Sequence, residues 1–186
     1  LKFPDWRAIK LLAKLRNRKD DTIMLAIVEE LAKDGLEVVD QTLYLKPLMP
    51  ACGVLSRRKP TADEEDDIRF GFVTAKAMGG MDIGQTVVVK NKAVMAVEAI
   101  EGTDACIRRG GALGREKSVV VKVAKPNQDP RFDVPAVGKQ TILSMIESKC
   151  NVLAMEAGRT LFVEQDEVLD LANRHNICIC AVDKNF

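Results

Sequence analysis

Only one histidine, one tryptophan and one tyrosine occur among the 186 residues, and aromatics amount to 4%. His175 has no second histidine to work with and the chain has no Cys-x-x-Cys pair, which argues against a zinc site. An excess of one charge is also missing. With 28 Lys and Arg against 27 Asp and Glu the formal charge is +1, so the chain is not built around a nucleic-acid footprint. No apolar run approaches the ~20 residues that span a bilayer, and no charged-then-apolar opening marks a secretory signal. The five cysteines (Cys52, Cys106, Cys150, Cys178, Cys180) are an odd number, four of them in apolar surroundings. They read as small hydrophobes in a reducing compartment rather than as a redox or metal pair. What is present, 47% apolar and 30% charged, is an ordinary globular balance with room for one good core or two small ones.

Residues 5–18 read as a basic amphipathic helix, with Trp6, Ile9, Leu12 and Ala13 spaced helically among Lys10, Lys14, Arg16 and Arg18. A second helix, 21–34, stops at Gly35, and Glu37 to Asp40 reads as a short strand. Two helices and one strand do not close a core. With Leu1 in place of an initiating Met, this opening reads as the tail of an α/β lobe whose front strands are absent. Pro47, Pro50, Gly53 and Pro60 mark 47–60 as a linker.

Thr61 with Glu64 then forms a capping box, and the acidic run Asp63–Asp67 complements the positive helix N-terminus rather than a metal, because it points all around the helix. Ile68, Phe72, Ala75 and Gly79 share the buried face of that helix. Strands follow at 86–90 and 93–100, joined by a tight turn at Asn91-Lys92, and at 118–124. A helix at 139–148, strands at 151–156 and 160–163, a helix at 165–174 and a strand at 177–182 complete the pattern. The fold class is α/β, a mixed sheet flanked by helices.

Three strand ends carry polar residues that packing alone does not require. Glu98 shares a strand face with Val94, Ala96 and Ile100, and a carboxylate there needs a partner or a cation. Glu101, Thr103 and Asp104 follow at once. Thr103 or Asp104 serves as a helix N-cap for 105–109, but capping leaves Glu98 and Glu101 unexplained, and clustered carboxylates suit a hard cation such as Mg²⁺. In the second segment, 125–135, three prolines stiffen a loop holding Lys125, Gln128, Asp129, Arg131 and Asp133. Cleaving a diphosphate needs cations for the phosphoryl oxygens and a carboxylate to orient water or hold metal, and this loop offers both. The third, Glu156 to Thr160, sets Arg159 behind Gly158, where a guanidinium can bind phosphate or simply decorate a hairpin. Asp82 and Gln85 either bond a ligand or form a turn. Lys122 reads as reaching an exposed face, and Arg108 and Arg109 read as ion-pairing with the carboxylates.

The segments Asp82-Ile83-Gly84-Gln85-Thr86-Val87-Val88-Val89, Val97–Asp104, Val121–Asp133 and Glu156–Thr160 together resemble the UDP-2,3-diacylglucosamine diphosphatases of lipid A assembly, the type unlike calcineurin. Four motifs in one order over about residues 61–183 make the resemblance specific. Residues 1–46 are similar to the back half of that family's Rossmann-like N-terminal lobe, and 61–186 to its C-terminal catalytic lobe.

The resemblance implies a two-lobed, Mg²⁺-dependent enzyme (Mn²⁺ being an alternative), with the substrate between the lobes and water attacking the β-phosphorus. UMP and 2,3-diacylglucosamine 1-phosphate are the products. On that reading Asp133 and Asp129 are the catalytic carboxylates, and Lys125, Gln128, Arg131, Arg159, Thr103 and Gln85 bind substrate. Asp133, Asp104, Glu101 and Glu98 would hold the metal.

An acylated UDP-sugar implies a cytoplasmic protein peripheral to the inner membrane, and a homo-oligomer is allowed. The basic helix could lie on anionic lipid, although packing of Trp6, Ile9 and Leu12 onto the rest of the lobe explains it better. Two alternatives stand beside this reading. One is a non-catalytic nucleotide-sugar or lipid-binding module, and the other a diphosphatase for a different nucleotide sugar.

Overall fold

Valine dominates the strands, and its alternation builds the sheet. In the computed structural model, which describes residues 4–15 and 20–186, β1 (Gly53–Val54), β2 (Thr86–Lys90), β3 (Ala93–Val97), β4 (Ser118–Lys122), β6 (Cys150–Glu156) and β8 (Cys178–Val182) form one sheet. The order is β1-β8-β6-β4-β2-β3, with β4, β6 and β8 parallel and β1, β2 and β3 antiparallel to their neighbours. Val87, Val89, Val119 and Val121 face one side, where α3 (Ala62–Gly80) packs through Ile68, Phe72, Ala75 and Met78. Val88, Val120, Leu153 and Ile179 face the other, covered by α4 (Thr103–Gly114), α5 (Lys139–Glu147) and α6 (Gln165–Arg174). Burial on both faces is what lets these strands read as continuous apolar runs. Gly71 and Gly110 let α3 and α4 approach closely, since a Cβ at either would lie 2.6 Å from Val121 and 2.4 Å from Val88. A small parallel pair, β5 (Ala136–Val137) and β7 (Leu161–Phe162), lies outside the main sheet.

The chain divides into two compact units, 1–43 with 129–133, and 44–128 with 134–186. In the first, α1 (Trp6–Ala13) and α2 (Asp20–Ala32) are tied by Arg7, whose Nε donates to Glu30 at 2.7 Å and Nη1 to Asp34 at 2.6 Å. Trp6, Ile9 and Leu12 of α1 stay exposed; Arg16 and Arg18 lie outside the described residues. The strand expected at Glu37–Asp40 does not form. No strand pairs with it among the described residues, and Asp40 instead accepts the Thr42 N–H at 2.7 Å as the chain turns into a short 3-10 helix, Gln41–Leu43. No helix among the described residues is long and apolar enough to cross a membrane.

The stretch 47–60 does more than connect. β1 lies within it and pairs with β8, and Ser56 Oγ accepts the Ile179 N–H at 2.8 Å. The capping box forms as read, with Glu64 N–H donating to Thr61 Oγ1 and Thr61 N–H to Glu64 Oε2. Glu64 also accepts from Arg58 at 2.5 Å and from Asn151 at 2.8 Å, joining the former linker to the start of β6. Asn91 and Lys92 both adopt positive φ, 52° and 57°, as a two-residue hairpin turn demands.

Candidate binding edge at the carboxyl ends of the parallel strands

Because β2 runs antiparallel to β4, its first residue Thr86 lies beside Lys122 at the end of β4. β3 in turn ends beside the start of β2, Val97 opposite Val87. The segments before β2, after β3, after β4 and after β6 therefore meet at one edge. That is the edge where open α/β sheets bind ligands.

Glu98 is held at this edge by protein donors. The Thr103 hydroxyl donates to Oε1 at 2.7 Å and the Gln85 N–H to Oε2 at 3.4 Å. Lys122 Nζ donates to Thr103 Oγ1 at 2.9 Å, so the lysine expected on an exposed face instead joins a relay from β4 through Thr103 to Glu98. Thr103 is accordingly not the helix N-cap, and neither is Asp104. Gly102, with φ 81°, occupies that position and Thr103 is the first helical residue. Glu101 pairs with Arg109; its own backbone N–H, and then that guanidinium, hold its carboxyl below the usual range. Arg108 pairs with Glu147 at 2.8 Å, so both arginines are ion-paired, though only Arg109 with one of the clustered carboxylates. Burial, and after it the nearby Glu98 charge, push the Cys106 thiol up to about 12.

Beyond β4 the loop folds back on the segment before β2. Lys125 Nζ donates to Asp82 at 2.9 Å, the Lys125 N–H to Gln128 Oε1 at 2.8 Å, and Gln128 Nε2 to Gln85 Oε1 at 3.3 Å. From the turn after β6, Arg159 Nη2 donates to the Lys125 carbonyl at 3.4 Å. The structure thus brings Gln85, Glu98, Thr103, Lys125, Gln128 and Arg159 to one edge, with Asp82 and Lys122 added.

The remaining loop residues, 129–133, group with the first unit. There Arg131 wraps its own neighbour, donating to Asp129 from Nε at 3.0 Å and from Nη2 at 2.6 Å, and holds that carboxyl below the usual range. Arg131 also lines a cleft of about 420 Å³ with Ala32, Leu36, Val39 and Leu43. The Asp133 N–H donates to the Asp129 carbonyl at 3.0 Å.

The pair Lys76–Glu156 went unread in the sequence. Lys76 Nζ lies 3.0 Å from both oxygens of Glu156. One signal was available, since Lys76 stands four residues after Phe72 within the apolar stripe of α3.

Among the described residues, no three His, Cys, Asp or Glu side chains gather closely enough to hold a metal ion. Glu98 and Glu101 already accept from Thr103, Gln85 and Arg109, which leaves each with fewer open lone pairs for a cation. Mg²⁺ needs only one or two protein carboxylates when phosphate oxygens share it. Asp104 and Asp133 have the chemistry for that more limited part.

Fold and edge together define an α/β/α protein whose polar side chains converge beyond the carboxyl ends of its parallel strands. The chain belongs to the LpxI family: residues 51–180 match the LpxI C-terminal domain and residues 1–48 the LpxI N-terminal domain. It is 31% identical over 192 residues to the UDP-2,3-diacylglucosamine pyrophosphatase LpxI of Caulobacter vibrioides, an alignment covering 97% of this chain and 69% of that protein.

Proposed function

We propose that this protein hydrolyses the diphosphate of UDP-2,3-diacylglucosamine, with water attacking the β-phosphorus to release UMP and 2,3-diacylglucosamine 1-phosphate. The observation that carries the reading is the convergence of Lys125, Gln128, Gln85 and Arg159, from three separate segments, in a chain of the LpxI family. Charge that spreads over phosphoryl oxygens in the transition state is stabilised by fixed cations and donors, and such preorganised groups are usually the largest catalytic contribution. Lys125 and Arg159 supply the cations in this proposal and the Gln85 and Gln128 amides the neutral donors, while Thr103, whose one hydrogen goes to Glu98, holds that carboxylate beside them. Asp129 has both oxygens bound by Arg131, so we assign it to bracing the loop and Arg131 to holding it. Asp133, on the same loop, is then the carboxylate that orients water. A Mg²⁺ or Mn²⁺ ion would be held by Asp133, with help from Asp104, and the diphosphate, and would supply further neutralisation of charge.

Exposed apolar side chains adjoin these polar groups in sequence, Met81 and Ile83 on either side of Asp82 and Ile100 before Glu101. They favour an acylated substrate over a bare nucleotide sugar. A diacyl substrate lies at a membrane surface, so we place the protein in the cytoplasm, peripheral to the inner membrane.

The test is UMP release by the full-length protein from the diacylated substrate, with and without Mg²⁺, beside unacylated UDP-GlcNAc. Cation-dependent release from the acylated substrate alone is expected. Equal rates on both would favour a diphosphatase for another nucleotide sugar. Tight binding without UMP would favour a binding module.

A further inference from the structure

Glu156 ends β6 with only 8% of its surface exposed, and a charge at that depth has to be paired and hydrogen-bonded. All its partners serve a single residue. Lys76 Nζ, coming from α3, lies 3.0 Å from both Glu156 oxygens and also donates to the Ala124 carbonyl at 2.8 Å. The Ala124 N–H donates to Glu156 Oε2 at 2.8 Å. Ala124 stands just past β4, whose pairing with β6 stops at Lys122 opposite Met155. Its donor and acceptor, which the ladder no longer serves, are both taken by one ion pair built from two other elements.

The next residue is Lys125. Its Cα packs against Gly79 of α3, where an added Cβ would stand 3.3 Å away. Its N–H is engaged by Gln128 and its carbonyl by Arg159. The backbone from Ala124 to Lys125 is therefore gripped by α3, by β6 and by the turn after β6.

We infer that Glu156, anchored by Lys76, is a positioning residue that sets the Ala124–Lys125 backbone so that Lys125 and Arg159 meet the same phosphoryl group. The inference rests on the diphosphatase reading. Were the pair there only for stability, its site could be refilled with apolar side chains of similar volume without specific loss. A pair whose free valences all go to the peptide preceding a catalytic cation has a second task. Misplacing that cation by about 1 Å costs on the order of 10²-fold in rate.

The experiment is a double-mutant cycle in the full-length protein, with Glu156→Gln measured alone and in a Lys125→Ala background, and Lys76→Gln as a second entry to the same cycle. Glu156→Gln alone is expected to lower kcat/KM on the order of 10²-fold, and to change it less than about twofold once Lys125 is gone. Equal losses in the two backgrounds would mean that Glu156 acts through general stability, and the inference falls. Hydrogen exchange supplies a readout independent of turnover. Exchange should rise across 123–128 and stay unchanged in the β2–β3 hairpin; a uniform rise, or none, also overturns the inference. Should unaltered protein release no UMP, the diphosphatase reading itself is lost; should Lys125→Ala run at the normal rate, that reading stands and the inference falls. The exchange result would then still judge the grip on Ala124.

Discussion

At the amino edge of β4, β6 and β8, charged side chains bond both to backbone and to one another. Asp67, nearly buried, accepts the N–H groups of Asn91 at 2.9 Å and Lys92 at 2.6 Å, and so stabilises a turn whose two residues both take positive φ. Lys90 donates to the carbonyls of Gly114 and Glu116, closing the end of α4. Glu64 gathers Arg58, Asn151 and the Thr61 N–H. At the carboxyl edge, side chains from three segments meet one another. Lys125 meets Asp82, Gln128 meets Gln85, and Lys122 reaches Glu98 through Thr103. Buried polarity is common to both edges, so burial by itself does not mark a site. Backbone groups left by turns and helix ends account for Asp67 and Lys90 at the first edge; at the second, Lys125, Gln128 and Lys122 pair with side chains from the segments before β2 and after β3.

Substitutions in the proposed catalytic groups and at the amino edge should separate activity from stability. Asp133→Ala is expected to lower kcat by roughly 10²–10⁴-fold, the span of a lost general base or water-orienting group, with little change in melting temperature. Near-normal turnover would remove Asp133 from the mechanism. Lys125→Ala at the carboxyl edge should cost about 10²–10³-fold in kcat, measured as UMP release.

The amino edge should behave in the opposite way. Glu64→Ala leaves Arg58 and Asn151 without their acceptor and is expected to cost about 3 kcal/mol in denaturant unfolding, while kcat per folded molecule stays level. Asp67→Ala removes two charge-assisted bonds to the hairpin and should cost about 2 kcal/mol, a fall of roughly 4–8 °C in Tm for a chain of this size. A loss of kcat greater than the loss of folded protein in either variant would erase the distinction between the edges.

The smallest effect is electrostatic. Arg131 holds Asp129 below its unfolded pKa, so the stability from that pair is complete above about pH 4 and is lost as pH falls through the folded value. In Arg131→Ala, a carbon NMR titration should find Asp129 back in the ordinary carboxylate range. An unchanged titration would show that Arg131 is not its clamp.

Much of the fold was legible because local rules and burial agreed. The Thr61–Glu64 box, the Asn91-Lys92 turn and the strand at 86–90 all formed where the sequence placed them. Reading failed where a residue's partner lay far along the chain. Thr103 looked like a cap because Ser, Thr and Asp cap helices, yet a longer-range carboxylate–lysine pair takes its hydroxyl. Glu37–Asp40 looked like a strand because its pattern was extended, but a strand needs a neighbour. Lys76 was hidden in an apolar stripe because its counter-ion stands 80 residues away.

Sequence alone determined the α/β class, most element positions and the motifs that tie the chain to its family, since periodicity, capping and turn chemistry act over a few residues. Tertiary structure alone decided which distant polar residues are partners. Antiparallel β2 carries Gln85 to the end of β4, and β6 delivers Glu156 to Ala124. Pairing across a sheet depends on strand order and register, which act between distant segments and leave no local signature.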